Sequence, residues 1–185
     1  MARIENVILV DEKDNEIGVM EKNQAHLEGK LHRAVSIFIF NSRAEMLLQQ
    51  RSHTKYHSGK LWTNASCSHP RPGESNENAA TRRLYEEMGL RCALTEAYSF
   101  VYRAELDNDM IEYEYDHVFI GMSDTPPVPD PTEVADWKYM ETNQLKTDIE
   151  NHPEVYTEWF KICIEQWHSK LFPEKSRRNS LKNDD

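Results

Sequence analysis

Apolar runs predict β-strands in the first third of the chain. Residues 4–10 form a short apolar run that ends in a polar turn, and residues 17–20 predict a return strand, so an N-terminal hairpin is expected. The β-branched and aromatic residues 34–40 and the apolar residues 46–48 predict two more strands. Residues 52–72 are rich in His, Ser, Gly and Pro and predict a long loop, which in a compact domain is usually functional.

An amphipathic helix is expected directly after this loop. Ser75 can cap its first turn, and Gly89 lies just past its expected end. Three apolar residues recur every four positions and predict its buried stripe: Ala80, Leu84 and Met88. The pattern therefore predicts a helix with one face in the core.

Strands and helices are expected again in the second half of the chain. The expected strands lie at 97–106, 111–121 and 137–140, and the expected helices lie at 143–149 and 154–172. Strands, a helix, more strands and then helices are typical of an α+β fold or of a mixed-sheet α/β fold.

Composition favours one globular domain. The chain has 185 residues, of which 38% are apolar and 29% are charged, enough to bury a core. We expect residues 1–172 to form a single domain and the polar residues 173–185 to be a disordered tail. No apolar run approaches the roughly 20 residues of a membrane span, and the acidic N-terminus does not resemble a signal peptide. Three cysteines are too few for a disulfide framework, so a cytoplasmic location is expected.

The net charge of −10 argues against nucleic-acid binding, which needs a basic footprint. An anionic small molecule remains a suitable ligand if basic residues gather locally. The candidates for such a cluster are Lys22, Arg51, Lys55, Arg82 and Arg83.

One cysteine differs from the others in its surroundings. An isolated Cys is most often a small buried apolar residue, which suits Cys92 and Cys163. Cys67 lies in a polar segment two residues before His69, so a reactive thiol is as good an interpretation as a buried one.

Carboxylates and imidazoles suggest a metal site. Alternation along the strand at 111–121 places three carboxylates on one face: Glu112, Glu114 and Asp116. Taken alone, such a face is usually an exposed edge. Together with His26, His32 and His69, however, Glu112 and Glu114 would form a nitrogen and oxygen site suited to a divalent metal.

Two charge pairs on the helix and one tryptophan have both an ordinary and a functional interpretation. Arg82 and Arg83 lie four residues before Glu86 and Glu87 and can form surface ion pairs. Alternatively, Glu87 holds a cation and Arg83 meets a phosphate. Trp159 is expected in the core, or over a pocket where its face would suit a developing cation.

Together these residues resemble the signature of the Nudix superfamily. That signature is Gly, five residues, Glu, seven residues, and then Arg-Glu-hydrophobic-any-Glu-Glu-any-Gly-hydrophobic. The matching positions are Glu74, Arg82, Leu84, Glu86, Glu87, Gly89 and Leu90. Ser68 replaces the first Gly, and Arg83 replaces a Glu that binds the catalytic magnesium in hydrolase members. The resemblance implies a Nudix-like mixed β-sheet sandwiched between helices, here with an extra N-terminal hairpin.

The residues that depart from the signature, and their neighbours, are similar to those of another branch of the superfamily. The segment 63–70, Thr-Asn-Ala-Ser-Cys-Ser-His-Pro, and the downstream Glu-Tyr-Glu at 112–114 resemble the type 1 isopentenyl-diphosphate isomerase family. The similarity runs from about residue 5 to about residue 170. It implies interconversion of isopentenyl and dimethylallyl diphosphate, C5 isoprenoid diphosphates, by a 1,3-shift of a proton.

The same resemblance implies residue roles. Cys67 and Glu114 would face the alkene from opposite sides, with Tyr102 assisting Glu114. The implied ligands of a site metal, Mn²⁺ or Mg²⁺ with Zn²⁺ as an alternative, are His26, His32, His69, Glu112 and Glu114. Glu87 would hold a Mg²⁺ that bridges the diphosphate. The implied substrate contacts are Lys22, Arg51, Lys55, Ser68, Arg83 and Trp159.

Two other functions stay open from the sequence. A Nudix hydrolase of a nucleoside diphosphate derivative is supported by Glu86 and Glu87, but Arg83 argues against it. A non-catalytic binding module would keep the fold and show no metal-dependent chemistry. For the isomerase interpretation, a monomer with a small-molecule substrate and without nucleic-acid or membrane partners is expected.

Overall fold

The computed structural model describes residues 5–55 and 57–171. In this part of the chain, nine strands form one mixed sheet: β1 Asn6–Val10, β2 Glu16–Glu21, β3 His32–Phe40, β4 Glu45–Arg51, β5 Trp62–Thr63, β6 Ser66–Ser68, β7 Leu94–Glu105, β8 Ile111–Met122 and β9 Val134–Glu141. The helices are α1 Lys22–Glu28, α2 Asn76–Met88, α3 Thr142–Asn151 and α4 Glu158–Leu171. The expected tail at 173–185 lies outside the described residues.

Strand β3 is the centre of the sheet. It pairs in parallel with β8 along its whole length and antiparallel with β6 in its middle. Strand β8 also pairs antiparallel with β7, and β1 pairs antiparallel with β2, which confirms the expected N-terminal hairpin. The parallel register sets His32 beside Glu114, two residues that are far apart in sequence.

Helices cover both faces of the sheet, which explains why β3 is a continuous apolar run. On one face, Val35, Ile37 and Ile39 pack with the predicted stripe of α2. On the other face, Phe38 packs with Phe160 of α4 and with residues of α3. Each such fully buried side chain stabilises the fold by about 1.5–3 kcal/mol. The predicted sandwich of a mixed sheet between helices is confirmed.

The ends of α2 are fixed as the sequence predicts. The Ser75 hydroxyl accepts a hydrogen bond from the backbone N–H of Asn78 at 3.2 Å. Gly89 follows the helix with φ of +65°, and a Cβ there would lie 2.5 Å from the carbonyl oxygen of Val128. Glycine is therefore required for the Pro-rich segment to pack against this helix end.

The structure differs from the expectation in two places. Helix α1 was not predicted; the carboxylate of Glu21 caps it by accepting from the backbone N–H of Gln24 at 2.9 Å. The expected loop at 52–72 contains β5 and β6, so Cys67 lies on a short strand paired with β3 rather than in a free loop. Within the described residues, no helix is long and apolar enough to cross a membrane.

Candidate active site

A cavity of about 120 Å³ opens beside the strands that carry Cys67 and Glu114. It is lined by Glu5, Lys22, His26, Arg51, Lys55, His57, Cys67, Ser68, His69, Arg83, Tyr102, Glu112, Glu114, Glu133 and Trp159. This set includes the residues to which the family resemblance gave a role, except His32 and Glu87. Both of these are buried: the Nε2 of His32 lies 3.2 Å from that of the lining residue His69, and Glu87 accepts a hydrogen bond from the lining residue Arg83. The set also lacks Arg82, a candidate of the basic cluster, which instead pairs with Glu74 and Glu86.

Four side chains from four segments converge at the buried end of the cavity. They are His26 of α1, His32 of β3, His69 after β6, and Glu114 of β8. One ligand atom from each lies within 4.8 Å of all the others. The Nε2 of His69 is 3.2 Å from the Nε2 of His32 and 3.0 Å from Oε1 of Glu114. We call these four residues the His/Glu cluster.

The hydrogen bonds of the outer ring nitrogens suit the cluster to a metal. The Nδ1 atoms of His26 and His32 lie 2.7 Å from the backbone carbonyl oxygens of Lys22 and Lys30. A carbonyl only accepts, so both Nδ1 atoms carry protons, and in the neutral rings the Nε2 lone pairs point into the cluster. Among the described residues, the buried Nε2 of His26 has no hydrogen-bond partner. Lone pairs that face one another repel, and a divalent cation would satisfy them.

The protonation state of the cluster is also suited to a metal. Burial, with smaller contributions from His69 and His32, lowers the pKa of His26 to about 4. Burial likewise lowers the pKa of His69. Both rings are therefore neutral near pH 7, the form that binds a metal.

The carboxylates of β8 are buried, so the exposed-edge interpretation of this face is wrong. Glu112 and Glu114 are each 6% exposed and Asp116 is 0% exposed. The reason is that β8 is an interior strand, flanked by β3 and β7, and this face continues through Val118 into the core beneath α4. Burial and the nearby charge of Glu114 raise the pKa of Asp116 to about 7.

The hydroxyl of Tyr102 connects two of these carboxyl groups. It lies 2.6 Å from Oε2 of Glu114 and 3.0 Å from Oε2 of Glu112. Burial alone would raise the pKa of Glu114, but its contacts with the imidazoles of His32 and His69 hold it well below its usual range. Burial and the charge of Glu114 raise the pKa of Glu112. A phenol has one proton, so Tyr102 can donate fully to only one of the two carboxyl groups, and the shorter contact is the one to Glu114.

Cys67 presents a protonated thiol to the same cavity. It lies opposite Ser36 in the antiparallel pairing of β3 and β6. The buried amide of Asn64 holds this turn by donating to the carbonyls of Ile37 at 3.1 Å and Ser66 at 2.7 Å. Burial raises the pKa of the Cys67 thiol. Cys67 is thus fixed by the sheet, and it keeps its proton in the free pocket.

Trp159 of α4 forms an aromatic wall of the cavity. Its side chain is almost fully buried, and the guanidinium carbon of Arg51 lies 5.0 Å from the ring centroid. The ring of His57 meets it edge-on, with centroids 5.8 Å apart and an interplanar angle of 83°. Burial, and then the charge of Arg51, lower the pKa of His57 to about 3, so this imidazole is also neutral.

Charged side chains at the more exposed end of the cavity are paired with one another. Lys22 forms an ion pair with Glu5, and Lys55 forms one with Glu133. Arg83 lies 3.3 Å from Oε2 of Glu133. Burial would raise the pKa of Glu5, but Lys22 outweighs it and lowers that pKa to about 2. Burial would also raise the pKa of Glu133, but Lys55 and Arg83 lower it, so both acids are ionised near pH 7. We call Glu5, Lys22, Lys55, Arg83 and Glu133 the rim.

Glu87 lies behind the rim rather than on it. Its Oε1 accepts from Nη2 of Arg83 at 2.7 Å, and its Oε2 accepts from Nε2 of Gln49 at 2.7 Å. Arg83 forms an ion pair with Glu87, and Arg82 forms one with Glu86, which confirms the ion pairs expected from their spacing of four residues.

Three lining residues were not found from the sequence: Glu5, His57 and Glu133. His57 lies within the segment 52–72 that was expected to be functional, and an additional imidazole there was the available signal. The two acids carry no motif. Their role becomes visible only when the fold sets them against the basic side chains.

The fold and the signature helix define a Nudix domain: residues 30–160 match the family model described as the NUDIX domain. A crystal structure of a Deinococcus radiodurans protein shares the fold with a TM-score of 0.74 at 19% identity, covering 88% of this chain and 98% of that one. A MutT protein from Methanosarcina mazei gives 0.64 at 17% identity, covering 77% and 96%.

Closer sequence relatives define the branch of this superfamily. The chain is 51% identical to the isopentenyl-diphosphate Delta-isomerase of Pectobacterium atrosepticum, over 85% of this chain and 88% of that protein. It is 52% identical to isopentenyl-diphosphate Delta-isomerase 1 of Aromatoleum aromaticum, over 88% and 92%. It is 53% identical to isopentenyl-diphosphate Delta-isomerase 2 of Photorhabdus laumondii, over 86% and 90%. The chain belongs to the isopentenyl-diphosphate Delta-isomerase family of Nudix proteins.

Proposed function

We propose that the chain interconverts isopentenyl diphosphate and dimethylallyl diphosphate and so acts in isoprenoid biosynthesis. Relatives at about 50% identity carry the name of this activity. The observation that carries the proposal is that Cys67, Glu114 and Tyr102 line one cavity whose rim holds three basic side chains. Such a cavity can hold an anionic head at the rim and a short hydrocarbon between a thiol and a carboxylate.

In the proposed reaction, one proton is added to the substrate and one proton is removed from it. One of Cys67 and Glu114 gives a proton to the terminal alkene carbon, and the other removes a proton from the carbon two positions away. The electron pair of the broken C–H bond becomes the new double bond. Because the thiol is protonated and Glu114 is ionised in the free pocket, the pair holds one transferable proton. General acid–base catalysis of this kind contributes about 10²–10⁴-fold.

Trp159 and Tyr102 suit the charge that develops on the hydrocarbon. Protonation of an unactivated alkene gives a tertiary carbocation or a species close to it. Aromatic faces stabilise a cation without offering a strong nucleophile that would trap it. Burial of both side chains also keeps water from the reacting carbons.

The rim and its neighbours are the proposed anchor of the diphosphate. Lys22, Lys55 and Arg83 supply positive charge there, and Arg51 and Ser68 line the adjoining wall. Charged hydrogen bonds to phosphate oxygens are short and strong, so they can fix the unreactive end of the substrate. They also allow a protein with a net charge of −10 to bind an anion.

Two divalent ions fit the proposed function. The first, Mn²⁺ or Mg²⁺ with Zn²⁺ as an alternative, would lie among His26, His32, His69 and Glu114, with Glu112 as the further proposed ligand. The second, Mg²⁺, would be held by Glu87 and would supply positive charge at the diphosphate end. When bound, such ions supply positive charge and hold carboxylates rigidly. We further propose a monomer in the cytoplasm.

A deuterium assay tests the proposal. Metal-replete protein is incubated with isopentenyl diphosphate in D₂O, and deuterium is expected in the dimethylallyl diphosphate product by mass spectrometry. Lack of conversion would overturn the proposal. Phosphate release from a nucleotide panel without isomerisation would instead favour a hydrolase, which is disfavoured by Arg83 standing at a ligand position of the signature.

A further inference from the structure

Glu133 is a rim carboxylate that contacts two cations from different segments. It pairs with Lys55 of the loop after β4, and its Oε2 lies 3.3 Å from Nη2 of Arg83 on α2. The other rim acid, Glu5, is paired with Lys22. Glu133 thus connects Lys55 and Arg83, two of the basic groups that bind the diphosphate in the proposed function.

The backbone around Glu133 is fixed to both of the segments that carry its partners. The carbonyl of Glu133 accepts from the backbone N–H of Ser52 at 2.9 Å, and its N–H donates to the carbonyl of Asp130 at 3.0 Å. The N–H of Asp130 donates to the carbonyl of Glu87 at 3.0 Å. Ser52 precedes the lysine partner by three residues, and Glu87 follows the arginine partner by one helical turn. This anchoring holds the carboxylate between the two cations.

We propose that Glu133 is a positioning residue for the diphosphate end, and that it makes binding of the anion depend on a divalent cation. The inference rests on the proposed function, in which Lys55 and Arg83 contact the diphosphate. In the free pocket, Glu133 holds both cations in place and neutralises part of their charge.

Two consequences follow for an entering anion. Without a divalent cation, a diphosphate must compete with the Glu133 carboxylate for the same two basic groups, and the like charges repel. With a divalent cation present, the carboxylate attracts the added positive charge, so its repulsion of the anion is offset. Glu133 therefore increases the ratio between the anion affinity with a divalent cation and the affinity without one. Such coupling between two ligands is typically about 5–150-fold.

The test measures binding of inorganic pyrophosphate by calorimetry, once in EDTA and once in excess Mg²⁺. For Glu133→Gln we expect Kd in EDTA to fall about tenfold relative to the parent protein, and the tightening on adding Mg²⁺ to shrink by a similar factor. Both proteins meet the same solutions, so the association of Mg²⁺ with pyrophosphate in solution cancels in the comparison. A variant that is only misfolded or loosened would bind more weakly in both solutions.

Three further variants give the measurement its controls. Glu133→Asp keeps the charge and is expected to keep the dependence on Mg²⁺. Glu133→Ala removes the side chain and should behave as Glu133→Gln does, which covers a folding defect of either one. Glu105→Gln changes an 80% exposed side chain at the end of β7 and is expected to leave both affinities unchanged.

The inference is overturned if Glu133→Gln and Glu133→Ala bind pyrophosphate in EDTA no more tightly than the parent and keep its response to Mg²⁺. Its failure can be separated from failure of the proposed function. If the parent protein isomerises in D₂O while these variants show no change in coupling, only the role of Glu133 is wrong. If the parent binds no pyrophosphate even in Mg²⁺, the role of the whole rim as an anion anchor is wrong as well.

Discussion

The His/Glu cluster and the rim both combine basic nitrogens with carboxylates, yet their polar atoms are satisfied in different ways. In the cluster, the buried Nε2 of His26 has no hydrogen-bond partner among the described residues, and the Nε2 atoms of His32 and His69 are 3.2 Å apart. In the rim, Lys22 and Lys55 are each matched to a carboxylate of the chain itself. A buried lone pair that no donor satisfies suits a cation from outside the chain. In the rim the charges are already matched, so an anion that binds there must compete with a carboxylate of the chain.

The largest expected effect comes from removing the reacting groups near the cluster. We expect Cys67→Ala and Glu114→Gln each to lower kcat by about 10²–10⁴-fold, because each removes one of the two proposed proton-transfer groups. KM should change little, since the rim is intact. Steady-state kinetics with isopentenyl diphosphate measures both constants.

Cys92→Ala is the matched control for the thiol. Cys92 is a half-buried thiol packed against the core under α2, and the change should leave kcat as it is. A near-normal kcat in Cys67→Ala would contradict the proposed role of Cys67, because the reaction would then not need the thiol.

A smaller effect of another kind is expected at the rim. Lys55→Met removes a charged hydrogen-bond donor from the diphosphate anchor, so KM should rise about 10- to 100-fold while kcat falls less. Added salt should weaken binding to the parent protein, because the rim is partly exposed and salt screens it. The exposed Lys146→Met is the control, and equal effects at both lysines would contradict a specific anchor.

Metal removal should lower the thermal stability through the His/Glu cluster but not through the rim. A ligand at 100 times its Kd stabilises the folded state by about 2.7 kcal/mol, which in a chain of this size is a Tm shift of roughly 5–10 °C. EDTA is therefore expected to lower Tm by that amount in the parent protein and in Lys55→Met. The shift should vanish in His26→Ala. A shift retained in His26→Ala would place the metal outside the cluster.

The smallest expected effect is a pH dependence of the metal-free protein. His57 has a folded pKa of about 3, below its ordinary value of 6.5, so the unfolded chain binds more protons between these values. Its contribution to stability is present above pH 6.5 and is lost as pH falls toward 3. Denaturant unfolding at pH 7 and 5.5 should show about 1 kcal/mol of this loss, and His57→Phe should remove it. An unchanged loss in His57→Phe would mean that His57 is already protonated or exposed.

Local signals in the sequence were sufficient for much of the fold. Ser75 and Gly89 define α2 because a cap and a left-handed glycine are properties of single residues. Helix α1 was missed because it is only seven residues long and its cap is Glu21, which is not one of the common capping residues. Strands β5 and β6 were missed because pairs and triplets of residues carry no periodicity.

The site could be predicted residue by residue but not as an arrangement. The types and spacing of Cys67, His69 and Glu114 indicated chemistry, whereas their meeting depends on pairing between distant strands. For the same reason the β8 carboxylates could not be recognised as buried from alternation alone. The rim acids Glu5 and Glu133 were missed because an acidic residue next to a strand is common and has no distinctive spacing.

The parallel pairing of His32 with Glu114 has a consequence for biosynthesis. A growing chain makes β3 early, but its neighbour β8 emerges only after most of the domain has been translated. Before β8 is made, His26, His32 and His69 lack the carboxylate of Glu114. A shift of the β3–β8 pairing by one residue would turn Glu114 to the opposite face of the sheet. Tight cation binding at the His/Glu cluster would therefore require that β8 has paired with β3 in the correct register, so metal binding would be coupled to completed folding.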